Sequence, residues 1–116
     1  RPAKQMPEIY LYRAPVDFRK QANGLALLVE QELEHNPFSG ALYAFTNRQR
    51  NKIKCVMWED NGFVMYYKAL AEEKFKWPKP ADELLALTGE QINWLLDGYD
   101  ISLFKGHKKL QYDSLG

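Results

Sequence analysis

Between residues 41 and 77 short runs of β-branched and aromatic residues alternate with turn-forming clusters, and this rhythm constrains the fold more than any other feature. Residues 41–46 and 53–58 read as strands joined by a basic loop. Asn61-Gly62 is a hairpin signal leading into a strand over 63–70, and a turn at 71–73 leads to a last strand over 74–77. Strands that follow one another through short turns pair antiparallel, so the pattern predicts a meander. Pro78 and Pro80, which cannot donate a ladder hydrogen bond, end it.

The flanks supply the cover. Residues 8–14 form a β-rich run closed by Pro15, which predicts a strand at a sheet edge. Asp17 is placed to cap a helix whose Phe18, Ala22, Leu25, Val29 and Leu33 recur at helical spacing to about residue 34. Gly24 inside it costs up to about 1 kcal/mol relative to Ala, so either a neighbour packs closely there or the helix bends. Asn36, Pro37, Ser39 and Gly40 break the helix around Phe38, making a tight connection pinned by one ring. Thr88 and Gln91 make a capping box for a second helix with Ile92, Leu95, Leu96 and Tyr99 on one face, ending near Gly98.

The order β-α-β-β-β-β-α, without repeating βαβ units, predicts an α+β fold in which an antiparallel β-meander is covered by two helices. At 116 residues a single domain over 1–116 is expected. Its globular part runs over about 8–101, after a flexible start at 1–7 and before a polar basic tail at 105–116 carrying Lys105, His107, Lys108 and Lys109. A content of 46% hydrophobic and 14% aromatic residues is enough for a core and too much for a disordered tail. The single cysteine, Cys55, excludes an intrachain disulfide and a repeated Cys/His zinc spacing, so a cytoplasmic protein without a metal is expected. No apolar run approaches the roughly 20 residues that span a bilayer, and residues 1–12 lack a signal-peptide stretch, so no membrane partner is expected.

The ordered set of short motifs resembles a known family. Asp17-Phe18-Arg19-Lys20 precedes Gly24-Leu25, followed by Asn36-Pro37-Phe38-Ser39-Gly40 and a basic segment over 48–54. Trp58, Asp60 and Gly62 come next, then Lys68-Ala69-Leu70, Phe75-Lys76-Trp77-Pro78 and Leu87-Thr88 with Gln91, Leu95, Leu96 and Gly98. Together they resemble the TnpB accessory proteins of bacterial insertion sequences of family sixty-six, which are distinct from the RNA-guided nucleases of the same name. The resemblance implies a factor encoded beside a separate catalytic transposase and needed for efficient transposition, with no established activity of its own. It names a process and leaves the mechanism to the residues.

Sixteen Lys and Arg against fifteen Asp and Glu give a net charge of +1, so any polyanion site must come from distribution. Arg48, Arg50, Lys52 and Lys54 recur at every second residue with no acid between them. In an extended chain all four project to one side over about 20 Å, a strip suited to sequence-independent phosphate contacts with DNA. The bland alternative is a solvated hairpin whose charges discourage edge aggregation. Lys74 and Lys76, alternating with core Phe75 and Trp77, widen the strip if they share the sheet face of Lys52 and Lys54. Arg19 and Lys20 in the first turn of the first helix oppose its dipole, a placement that a partner or an acidic neighbour such as Asp17 explains equally well. Trp58, Tyr66, Tyr67 and Trp94 offer stacking faces for bases or for a protein partner, and Trp94, off the stripe of the second helix, is the candidate interface, with packing against a loop as its bland alternative.

Catalysis is the rival class. Asp60, Glu72 and Lys74 loosely imitate a magnesium-holding nuclease arrangement, but all three fall in or beside turns that want polar residues anyway. His35 and His107 suggest no triad. A non-enzymatic accessory factor without cofactors is the expectation, with a pure protein-interaction module as the alternative.

Overall fold

The computed structural model describes residues 7–79 and 84–101. The elements run β1 (Ile9–Tyr12), α1 (Ala22–Glu32), β2 (Leu42–Thr46), β3 (Lys52–Glu59), β4 (Gly62–Ala69), β5 (Leu84–Leu87) and α2 (Gly89–Leu96). This is the expected order, and the class is α+β: one five-stranded sheet, β4-β3-β2-β1-β5, with two helices. The basic tail with Lys105, His107, Lys108 and Lys109, and nearly all of the expected flexible start, lie outside the described residues.

β2, β3 and β4 form the expected meander, with Tyr43 opposite Val56 and Lys54 opposite Tyr67. Paired Glu59 and Gly62 leave Asp60 and Asn61 as the hairpin turn, and Asp60 takes the positive φ of 55° that a tight turn matched to strand twist demands. Three details differ from expectation. The sheet is mixed, because α1 carries the chain back so that β2 runs parallel to β1. β1 is internal, flanked by β2 and β5, so Pro15 follows an internal strand and protects no edge. The fifth strand is β5 and not residues 74–77. That segment has no ladder; the Phe75 N–H donates to the Arg50 carbonyl at 2.7 Å and the Trp77 Nε1–H to the Tyr12 carbonyl at 3.1 Å.

Because side chains alternate along a strand, the sheet has two cores. On one face Leu11, Ala44, Ile53 and Cys55 pack with Phe75, Trp77 and, from α2, Ile92 and Leu95. On the other, Tyr43, Phe45 and Val56 pack with Leu25 and Val29 of α1. Phe38 is half exposed, yet its ring lies 4.9 Å from Trp58 and 5.6 Å from Phe63, which pins the connection after α1. α2 has the expected capping box: the Gln91 N–H donates to Thr88 Oγ1 at 3.1 Å and the Thr88 N–H to Gln91 Oε1 at 2.8 Å. Gly98, at φ 97°, ends it, and the Tyr99 N–H reaches back to the Trp94 carbonyl at 2.9 Å. No helix among the described residues is long and apolar enough to cross a membrane.

The strandless segment 74–77 is therefore structural through its rings. Phe75→Ala, which empties a fully buried site, is expected to lower unfolding free energy by about 3 to 5 kcal/mol. Leu27→Ala, at a half-exposed side chain of α1, should change it by no more than about 0.5 kcal/mol. Urea denaturation followed by circular dichroism measures both.

Candidate nucleic-acid interface

The turn between β2 and β3, residues 47–51, is built on Asn47, which is only 8% exposed. Its Oδ1 accepts from the N–H groups of Asn51 and Lys52, each at 3.1 Å, and its Nδ2 donates to Asn51 Oδ1 at 2.7 Å and Gln49 Oε1 at 3.3 Å. Every polar capacity of a buried amide is thereby matched, which a buried amide requires. Thr46 Oγ1 adds a bond to the Lys52 carbonyl at 3.0 Å, and the Leu70 N–H one to the Asn51 carbonyl at 2.8 Å. Arg50 adopts a left-handed φ of 60°, which turns the chain sharply and breaks the extended alternation. The result is a braced turn with Arg48, Gln49 and Arg50 exposed.

Lys54 corrects the expected strip. It lies on the same strand face as Lys52 but is only 4% exposed, and its Nζ donates to the carbonyls of Phe18 at 2.9 Å and Lys20 at 2.8 Å. The ammonium also sits 4.9 Å from the centroid of the Phe18 ring. Burial, aided by the neighbouring Lys52 charge, pushes its pKa below the ordinary lysine value. Lys54 is thus a structural cation rather than a phosphate contact.

The same bonds explain where α1 begins. A helix starting at Asp17 would offer the Phe18 and Lys20 carbonyls to the amides of Ala22 and Gly24, but these carbonyls turn to Lys54. Asp17 instead accepts from the Arg19 N–H at 2.9 Å, and the Lys20 N–H reaches the Asp17 carbonyl at 3.1 Å, closing a local turn. The N-cap is Gln21, without a side-chain bond. Arg19 and Lys20 therefore precede the helix and do not oppose its dipole from within. At Gly24 an added Cβ would lie 3.3 Å from Lys20 Cβ, so close packing, one of the two options, accounts for the glycine.

The exposed Arg19 guanidinium is bound to Asp17, with Nη2 to Oδ2 at 2.6 Å and Nε to the same oxygen at 2.9 Å. These bonds hold the Asp17 carboxyl down at a pKa of about 2, below its usual 3.8.

The cations gather in two places around the braced turn. Arg19, Arg48 and Lys52 line a hollow of about 580 Å³ between the turn and the segment that precedes α1. A second hollow of about 430 Å³ adjoins it, sharing Phe18 and Lys52 and bounded by Met65 and Tyr67. Arg50, Lys74 and Lys76 line a different hollow of about 640 Å³, floored by Phe75 and Trp77. Lys74 and Lys76 thus do not join the face of Lys52 and Lys54, because their intervening rings are buried in the core on the α2 side.

Trp94 does not face away from the core. It is half-buried and packs against the cluster containing Ile92 and Leu95, while Tyr99, expected on the apolar stripe, is 54% exposed beyond the end of α2. Among candidate reactive groups, Cys55 is buried and its thiol is pushed up to about 12 by burial. Asp60 and Glu72 sit beyond opposite ends of the eight-residue β4, about 25 Å of extended strand, so the imagined nuclease cluster is not assembled. No group of three potential metal-holding His, Cys, Asp or Glu residues occurs among the described residues.

Sequence comparison agrees with the motif pattern. A family model described as IS66 Orf2-like protein matches residues 7–106. The uncharacterized protein y4jC of Sinorhizobium fredii is 33% identical over 86 residues, covering 74% of each chain. The uncharacterized protein y4hO of the same organism is 28% identical over 99 residues, covering 85% of this chain and 86% of its own. No solved structure matches.

Two consequences of this geometry are measurable. Lys54→Met, which removes a charge-assisted donor from two carbonyls, is expected to lower stability by about 1.5 to 3 kcal/mol in urea unfolding. An NMR titration of the Asp17 carboxyl should give a midpoint near 2, returning toward 3.8 in Arg19→Gln. Because the folded pKa is depressed, the stabilising effect of this pair is fully present above the ordinary value and is lost as pH falls through about 2.

Proposed function

The chain belongs to the IS66 Orf2-like family, and from that premise we propose that it is a non-catalytic accessory factor in the transposition of an insertion sequence, acting by binding DNA phosphates through the braced turn. Family membership supports the transposition role. The observation that supports DNA contact is the exposed pair Arg48 and Arg50 on a turn fixed by Asn47, with Lys52 and Arg19 beside one and Lys74 and Lys76 beside the other. A rigid turn presenting cations to two sides loses little entropy on binding, and phosphate contacts of this kind position a protein without reading bases. A near-neutral chain gains from this concentration what its net charge does not supply.

A second reading has its own observation. β4 is an edge strand, and Val64 and Tyr66 on it are about half exposed, a surface suited to a protein partner such as the transposase of the same element. The two readings part on salt: phosphate binding weakens steeply as salt rises, whereas an apolar protein contact does not.

The test is affinity for insertion-sequence end DNA at several salt concentrations. If each side chain makes one phosphate contact, the variant Arg48→Ala/Arg50→Ala/Lys52→Ala should flatten the logarithmic salt dependence by about 2.7 on duplex or about 2.1 on single strands, and weaken all sequences alike. Unaltered affinity and slope in the folded triple variant would end the DNA reading and favour the transposase.

A further inference from the structure

We propose that the two adjoining hollows between the Asp17–Lys20 turn and β4 form one groove for an unpaired DNA strand, in which Arg48 and Lys52 meet phosphates and the Tyr67 ring stacks on a base. This rests on the DNA-binding reading above and narrows it to a form of substrate.

Tyr67 is the sixth residue of β4. It pairs with Lys54 across the β3–β4 ladder, so both project from the sheet face that α1 covers farther along. Lys54 is folded under the turn before α1, yet Tyr67 is 50% exposed. Its ring therefore borders an open hollow at the margin of the helix and not the core. Lys52 is shared by the hollow that Arg48 lines and by the one that Tyr67 lines, so a single strand passing Lys52 is brought to the ring. Phe18 forms the common wall, and the Lys54 ammonium over its ring and on its carbonyl holds that wall in place. Met65 adds an apolar floor.

A cationic track beside an exposed aromatic ring is the arrangement by which proteins hold single strands. Duplex DNA keeps its base faces stacked inside, so it could use Arg48 and Lys52 but not Tyr67. Stacking tolerates every base, in keeping with a site that otherwise offers cations. Asp17 is the acid in this groove, and its bonds to Arg19 leave Arg48 and Lys52 as the open cations of the first hollow.

The test uses fluorescence anisotropy with the full chain, a labelled oligothymidine of about a dozen nucleotides and a duplex of equal length. At equal salt the single strand should bind more tightly than the duplex. Tyr67→Ala should weaken single-strand binding about fivefold or more with the salt slope kept, Tyr67→Phe should restore it, and duplex binding should be the same in all three. Retained single-strand affinity in a folded Tyr67→Ala protein, or tighter binding of the duplex, would overturn the groove. In that case a loss in Arg48→Ala/Lys52→Ala would keep the broader DNA reading. Failure of the wild-type chain to bind either DNA would remove both.

Discussion

A buried ammonium between two backbone carbonyls sets the shape of the candidate site. Removing a lysine charge from water costs several kcal/mol unless its donors are satisfied, and Lys54 meets that cost with the Phe18 and Lys20 carbonyls and the Phe18 ring. Those contacts bridge 34 and 36 residues of sequence, fastening the segment before α1 to the first half of β3. They also take the carbonyls that an earlier helix start would use. The position of α1, the course of the Asp17–Lys20 turn and the wall of the groove beside Lys52 follow from one side chain.

Asn47 is the counterpart on the other wall. With both of its amide ends engaged inside a five-residue turn, Arg48 and Arg50 stand on a fixed base, and the left-handed Arg50 sends the two guanidinium groups toward different hollows. The chain is nearly neutral, so a field strong enough to attract a polyanion arises only where acids are absent over a short stretch. Residues 47–52 are such a stretch. The family gives the biological setting, and these two braces give the proposed contact its physical form.

The meander and the second helix were legible in the sequence because their signals are local. Thr88 with Gln91 and the tight turn beside Asn61-Gly62 need only near neighbours to act. What depended on distant partners was not legible. The alternation Lys74-Phe75-Lys76-Trp77 looks like a strand, but its rings are drawn into the α2-side core while its amides leave the ladder. β5, a leucine-rich run without β-branched residues, becomes a strand because β1 has an open edge beside it. Lys54 reads as one more exposed cation until the Phe18 and Lys20 carbonyls are known to lie above it. Asn47 left a signal that could have been used: an Asx residue closing a strand, four residues before Asn51 in a polar run, is the composition of a side-chain-braced turn.

The central proposal is that DNA meets this protein at the wall built by the 47–52 and 17–20 segments. Chemical-shift mapping by NMR tests it most directly, by adding an insertion-sequence end oligonucleotide to the labelled chain at low salt. The predicted result is perturbation concentrated at the backbone amides of Arg48, Gln49, Arg50, Lys52, Arg19 and Lys20, fading as salt is raised. Perturbation confined to α2 and the outer edge of β4, or none at a large molar excess of DNA, would contradict it.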